Sequence, residues 1–217
     1  MSLLHSGRLA MKNERVVVKV GGSLFQIPDL SARLNRWLRN SGFQTSLVPG
    51  GGGAADWIRK LDQVYRFPEV TSHWLAIRAM SLNAHVLSEV MGGVSVIECV
   101  QDALFQEGSR TAWILDPQKM LCEKSQESNP GLPCTWDVTG DSIAAWVTHQ
   151  VNASTLFLLK AAPLEDINCV RQAVARGLLD SHFQTASQGI PRIIYINFQE
   201  SDSTPYDLVA RKPITNL

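Results

Sequence analysis

Long apolar runs are missing from this chain. Nowhere do its 217 residues hold the roughly 18 consecutive apolar side chains that a helix needs to cross a bilayer, so no transmembrane helix is expected. The opening stretch MSLLHSGRLAMKNER lacks an apolar core followed by a cleavage site. Residues 1–14 are therefore read as a loose leader, not a secretory signal, with Met11 as an alternative start. An excess of either charge is missing too. Lys+Arg and Asp+Glu number 20 each, so nothing in the balance points to nucleic acid or to an acidic tail. A small anionic substrate stays open, because it needs only a few local charges. Cysteine is sparse: Cys99, Cys122, Cys134 and Cys169 form no CxxC pair, which argues against a zinc site and for free thiols in a reducing cytoplasm. The five histidines show no metal-ligand spacing, so no protein metal ligand and no catalytic histidine is assigned. There is no internal repeat.

What is present suits one buried core: 45% of the residues are hydrophobic, enough for a single domain over 15–217. RVVVKV (15–20) reads as a buried strand closed by two glycines. A helix follows over 27–42 with Leu30, Leu34, Trp37 and Leu38 at helical spacing and Gly42 as its stop. FQTSLV (43–48) reads as a strand, 54–66 as a helix and 69–93 as a long helix with Trp74, Ile77, Ala84 and Leu87 on one face. Strands are expected at 94–99, 111–117, 154–161 and 191–198, the last of these ending the sheet. Residues 101–108 read as a short helix or turn, QKMLCEK (118–124) as a segment pairing beside the strand before it, and 125–135 as loop. Helices are expected at 141–151 and 164–180. Alternating strands and helices predict a mostly parallel sheet covered on both faces, a three-layer αβα sandwich. Ligands then belong at the carboxyl ends of the strands.

Four motifs fall there. In KVGGS, Gly21 and Gly22 follow a buried strand, and Ser23 comes next. Such a turn lets backbone N–H groups form an anion-binding concavity, with the Lys19 ammonium over the same anion. In VPGGGGAAD, Gly50, Gly51, Gly52 and Gly53 sit at a strand-to-helix junction. Four glycines are costly to order, and the helix start behind them carries partial positive charge and unpaired N–H groups. The run is not a Walker A loop, since no Gly-Lys-Ser/Thr follows. Nor is it a GxGxxG dinucleotide turn, since Ala55 stands at the sixth position. In TWDVTGDS, Asp137 and Asp141 bracket one turn at a second helix start beside Thr139. Either can hold a lysine ammonium, and Asp141 can also cap the helix. In LLKAAP, Lys160 ends an apolar strand, where a buried ammonium needs a partner or an anion. Two lysines, two glycine turns and an Asp pair at one sheet edge are the parts that phosphoryl transfer asks for.

KVGGSL (19–24), PGGGGAAD (49–56) and WDVTGDSIAAW (136–146), in that order, resemble the amino acid kinase family. Within it, the short length and the LLKA strand end look most like the archaeal-type branch that includes the aminomethylfuran phosphate kinase. The resemblance implies an αβα fold, a cytoplasmic homo-oligomer (a dimer or larger), and transfer of the ATP γ-phosphoryl group to a carboxylate or phosphate. An aminomethylfuran phosphate-type acceptor of methanofuran biosynthesis is the one the branch suggests. It implies an acceptor-side lobe over about 15–150 and an abbreviated nucleotide-side lobe over about 151–217. Carried over, Lys19 stabilises the transferring group, and Gly21, Gly22, Ser23 and Lys160 meet the ATP phosphates. Gly50, Gly51, Gly52, Gly53 and Thr139 hold the acceptor, Asp141 or Asp137 orients the lysines, and Mg2+ is held mainly through phosphates. The chain departs from the family where relatives carry a later Gly-x-Met-x-x-Lys segment. It reads RGLLDSHFQTASQG (176–189) and has no lysine between Lys160 and Lys212. A non-catalytic ligand-binding or storage member of the same fold is the alternative.

Overall fold

In the computed structural model, residues 14–99, 101–102, 112–124 and 131–215 are described. The strands are β1 (Arg15–Val20), β2 (Gln44–Pro49), β3 (Val96–Ile97), β4 (Ala112–Leu115), β5 (Thr155–Lys160), β6 (Arg192–Asn197), β7 (Tyr206–Asp207) and β8 (Lys212–Pro213). The helices are α1 (Leu30–Ser41), α2 (Gly52–Tyr65), α3 (Glu69–Val90), α4 (Pro117–Lys124), α5 (Gly140–Gln150), α6 (Val170–Ala175) and α7 (Phe183–Ala186), with a 3-10 turn at Gly22–Gln26. One sheet runs in the order β3-β4-β2-β1-β5-β6-β7-β8. It is parallel up to β6, and only β7 and β8 run antiparallel. The expected three-layer α/β fold is the observed one.

The two faces of β1 show how the layers form. Val16, Val18 and Val20 enter one core with Leu30, Leu34 and Leu38 of α1 and Phe157 of β5. Val17 enters the other, with Ile143, Ala144 and Val147 of α5 and Leu156 and Leu158 of β5. Both faces of the central strands are apolar because helices cover both. The long helix α3 serves both cores: Ile77 and Met80 join the second, and Ala84 and Leu87 the first. Gly42 ends α1 in the left-handed conformation at φ 68°, as a C-terminal glycine should.

Four expectations need correction. Residues 118–124 do not pair beside β4; they lie in α4. Pro117 starts that helix instead of ending the strand, and the Asp116 carboxylate accepts from the Gln118 backbone N–H at 3.0 Å. Asp-Pro here is an N-cap followed by a first-turn proline. The helix expected over 164–180 shrinks to Val170–Ala175, because Asp166 stands at φ 50° and Gly177 at φ 72°, conformations that break a helix. The strand expected at 94–99 is only Val96–Ile97, an edge strand paired with β4 alone. Finally, β6 does not end the sheet; two two-residue strands follow it, too short to show an alternating pattern. Of the other expectations, 101–108 and the loop 125–135 fall largely outside the described residues, as does the leader.

Phe157 is 1% exposed and stacks edge-on against Trp37 at 5.1 Å. Phe157→Ala is expected to cost about 3–5 kcal/mol in urea unfolding. Trp57→Ala, at a side chain 60% exposed, should stay within about 0.5 kcal/mol of wild type.

Candidate active site

Three charges meet at the carboxyl ends of the central strands. Lys19 pairs in register with Leu158, so Lys160, two residues on, faces the same side of the sheet. The first turn of α5 lowers Asp141 between them. Lys19 Nζ donates to Asp141 Oδ1 at 2.8 Å. Lys160 Nζ donates to Oδ1 at 2.9 Å and to Oδ2 at 2.7 Å. Asp141 is 3% exposed and Lys19 6%. Burial alone would push the Asp141 carboxyl up, but the Lys160 and Lys19 ammoniums outweigh it and hold it well below the usual carboxylate range. Burial pushes Lys160 down to about 8 against the pull of Asp141, and Lys19 adds to the fall. One carboxylate between two ammoniums leaves a net positive charge at the sheet edge.

The glycines have a packing reason first. The 3-10 turn after β1 and the start of α2 cross backbone to backbone. A Cβ on Gly22 would fall inside the Gly52 backbone nitrogen, and one on Gly52 would stand 2.6 Å from the Gly22 carbonyl oxygen. Gly52 also holds φ 51°. Gly140 is not tight in that way: a Cβ there would meet Met80, Gly50 and the Lys19 side chain at 3.4–3.5 Å, ordinary contact distances, which places the start of α5 directly beside the loop and the lysine. α3 pins the loop through Asn83, whose amide donates to the Gly50 carbonyl at 2.6 Å. The helix behind the run begins at Gly52, two residues earlier than expected.

The N–H inventory narrows the expected anion contacts. Gly21 N–H donates to the Leu159 carbonyl and Gly50 N–H to the Val20 carbonyl, each at 2.8 Å, so both continue the strand ladders. Gly22 and Ser23 precede the first bond of their turn, which Leu24 donates to Gly21. Gly52, Gly53 and Ala54 precede the first bond of α2, which Ala55 donates to Gly51. Of these residues Gly22, Ser23 and Gly52 line one cavity of about 190 Å³ whose floor includes Lys19, Asp141 and Lys160.

The cavity's upper wall was not legible in the motifs. Arg59 of α2 lies 5.0 Å over the Trp136 ring and pairs with Asp56 at 2.6 Å. Trp136 donates its indole N–H to Asp62 at 2.8 Å, which holds the Asp62 carboxyl below its ordinary value. His73 Nδ1 donates to the Thr135 carbonyl at 3.0 Å. Burial lowers its pKa, leaving a neutral ring whose Nε2 can accept. The one available signal was the helical spacing of Asp56, Arg59 and Asp62 on one side of α2.

Asp137 is engaged elsewhere, whereas Thr139 lines the cavity while bonded to Asp180. Asp137 is exposed; it accepts from the Ser181 hydroxyl at 2.7 Å and has no bond to either lysine. Thr139 gives its backbone N–H and its hydroxyl to Asp180, at 3.0 and 2.8 Å. Asp141 does not cap α5, since its carboxylate is spent on the lysines. A larger cavity, about 630 Å³, opens beyond Lys160 at the ends of β5 and β6, lined by Asp166, Tyr195, Asn197, Glu200, Asp202 and Tyr206 among others.

Residues 14–163 match the sequence pattern of the amino acid kinase family. The chain belongs to that family. Over 132 residues it is 27% identical to the 5-(aminomethyl)furan-3-ylmethyl phosphate kinase of Methanocaldococcus jannaschii, covering 60% of this chain and 58% of the relative. In fold it is similar to UMP kinase from Ureaplasma parvum (TM-score 0.58, 14% identity, 88% of this chain and 93% of that one). It is also similar to uridylate kinase from Archaeoglobus fulgidus (TM-score 0.57, 16% identity, 83% and 89%). In this amino acid kinase fold the glycine contact separates two otherwise similar substitutions. Gly22→Ala should destabilise by about 1–3 kcal/mol through overpacking. Gly53→Ala, where a Cβ meets open space, should stabilise by about 0.5–1 kcal/mol. Thermal melts of the two variants check this.

Proposed function

We propose that the protein is a small-molecule kinase that moves the γ-phosphoryl group of ATP onto a phosphate or carboxylate oxygen of a small anionic metabolite. The observation that carries this reading is the buried Lys19–Asp141–Lys160 cluster facing N–H groups with no strand or helix partner to bond. A net positive, water-poor floor lined by preorganised donors favours charge that develops on a transferring phosphoryl group. The names of the relatives, all kinases of phosphorylated small molecules, support it. The acceptor is of the aminomethylfuran phosphate type. Its anionic end lies on Gly51 and Gly52, and its small body lies among Met80, Ile77 and Trp136, which line the cavity. The nucleotide takes the cavity beyond Lys160, with its phosphates toward Lys160, Gly22 and Ser23.

On this reading an acceptor oxygen attacks the γ-phosphorus while the bond to the β–γ bridging oxygen breaks, and that oxygen leaves on ADP. Lys19 and Lys160 balance the charge across the step. Asp141 is held ionised between them and orients both; it is not a base. Mg2+ carried in by the nucleotide phosphates supplies further charge neutralisation when bound. The alternative, a non-catalytic binding member, has one observation on its side. Among the described residues, the cavity beyond Lys160 is lined by Asp166, Glu200 and Asp202 and by no lysine or arginine.

An ATP-turnover screen over phosphorylated and carboxylated metabolites tests the reading. Lys19→Ala should lose about 10²–10³-fold in kcat, the cost of removing one such donor. Equal ATP-Mg affinity of wild type and Lys19→Ala in calorimetry, with no turnover by either, would sink it in favour of the binding member. Because the active Lys160 is the protonated one, kcat/KM should fall as pH rises through about 8. A flat profile from pH 7 to 10 would remove Lys160 from the chemistry.

A further inference from the structure

We propose that Asp180, from the segment between α6 and α7, is a positioning residue that fixes Asp141 between the two lysines. The reason lies in how α5 begins. Its N-cap, Thr139, makes no capping bond from its own side chain, so the first-turn donors need an outside acceptor. Asp180 supplies it from 41 residues away in sequence. One carboxylate oxygen accepts the Thr139 N–H, the Thr139 hydroxyl and the Ser142 N–H at 2.8–3.0 Å, and the other accepts the Ser142 hydroxyl. The next two residues bind the other flank: Ser181 donates its hydroxyl to the Asp137 carboxylate at 2.7 Å, and His182 its N–H to the Asp137 carbonyl at 3.1 Å. Residues 137–142 are thus clamped on both sides of Asp141. The clamp lies beyond residue 163, where the family match ends. A carboxylate is suited to the task, since it accepts all four bonds and offsets the positive end of the helix. It also takes the Thr139 and Ser142 N–H groups away from any ligand.

Asp141 has to meet two ammoniums at 2.7–2.9 Å. A first turn released from its clamp lets it drift, and electrostatic positioning is lost over short displacements. The groups facing Lys160 are Asp141 from α5 and Lys19 from β1; the Tyr195 hydroxyl of β6 is turned to the Ala162 carbonyl at 2.8 Å. If Asp141 withdraws, Lys160 loses its counter-charge while Lys19 and burial stay, so its proton is held less tightly.

Two variants and two readouts test the assignment. Asp180→Asn keeps an acceptor oxygen for the three shared bonds and removes the charge; Asp180→Ala removes the clamp. The first readout is the pH dependence of Lys160 acetylation, followed by mass spectrometry on the folded protein, and it needs no kinase activity. Asp180→Ala should move the Lys160 midpoint below the wild-type value, and Asp180→Asn should leave it within a few tenths of a unit. The second rests on the kinase reading: Asp180→Ala should lower kcat about 10–100-fold with KM changed less than about threefold, and Asp180→Asn should recover most of it. A Lys160 midpoint unchanged in a folded Asp180→Ala protein overturns the proposal, as does an equal shift in both variants, which would mean that charge and not position is at work. A shifted midpoint in a protein with no turnover keeps the clamp and removes only the kinase reading.

Discussion

A carboxylate with an ammonium on either side, nearly withdrawn from water, is the arrangement on which the rest of this site depends. Moving each ion out of water costs several kcal/mol, and the mutual attraction returns that only when the geometry is good. Lys19, Asp141 and Lys160 meet the geometric condition, with contacts of 2.7–2.9 Å. They do not meet the charge condition, because the cluster is one negative charge short. An apolar trio of similar size would hold the sheet to the helix at least as well. The cluster is better understood as a surplus of positive charge that a bound anion completes. The depressed proton affinity of Lys160 has burial as its first cause; the pull of Asp141 offsets part of it, and Lys19 adds to the fall.

The fold brings the charges together with few free choices. In a parallel sheet every strand ends on the same edge, so lysines near the ends of adjacent β1 and β5 share a face through register alone. A helix packed over those strands then has its N-terminus at that edge. Its first-turn side chain reaches the lysines only if nothing bulky stands between. The crossing of Gly22 with Gly52, which no side chain could enter, keeps the neighbouring loop close and low. One close backbone contact thus serves two ends: it lets the layers approach, and it leaves Gly22, Ser23 and Gly52 lining one cavity.

This also shows what was legible in the sequence. The layer order, the parallel sheet, the lysines and Asp141 were readable because strand runs, glycine turns and their order are local signals. The resemblance gives the glycine run to the acceptor, yet its tightest demand is from Gly22, thirty residues before Gly52 in the chain, a contact that no local pattern carries. The same limit hid Arg59 and His73, which reach the cavity from the sides of long helices, and Asn83, which holds the glycine loop through the Gly50 carbonyl. It also favoured Asp137 as an equal of Asp141. The two stand four residues apart, and only the packing of α5 shows that one faces the lysines and the other Ser181. The short helix at Val170–Ala175 was overextended because its apolar spacing continues past the residues whose backbone turns away.

The C-terminal part beyond residue 163 departs most from the family pattern, and its absent lysine reads at first as a loss. Its contacts point to a different division of labour. It returns to the start of α5 through Asp180, Ser181 and His182, so the segment that lacks a phosphate-binding lysine still governs the residue between the two lysines that remain. Fewer cations make placement more demanding: among the described residues Lys19 and Lys160 stand on the floor and Arg59 on the wall, so a misplaced partner is hard to make up for. A carboxylate held on both flanks is the expected companion of a site with that little redundancy, and it ties the divergent end of the chain to the part that matches the family.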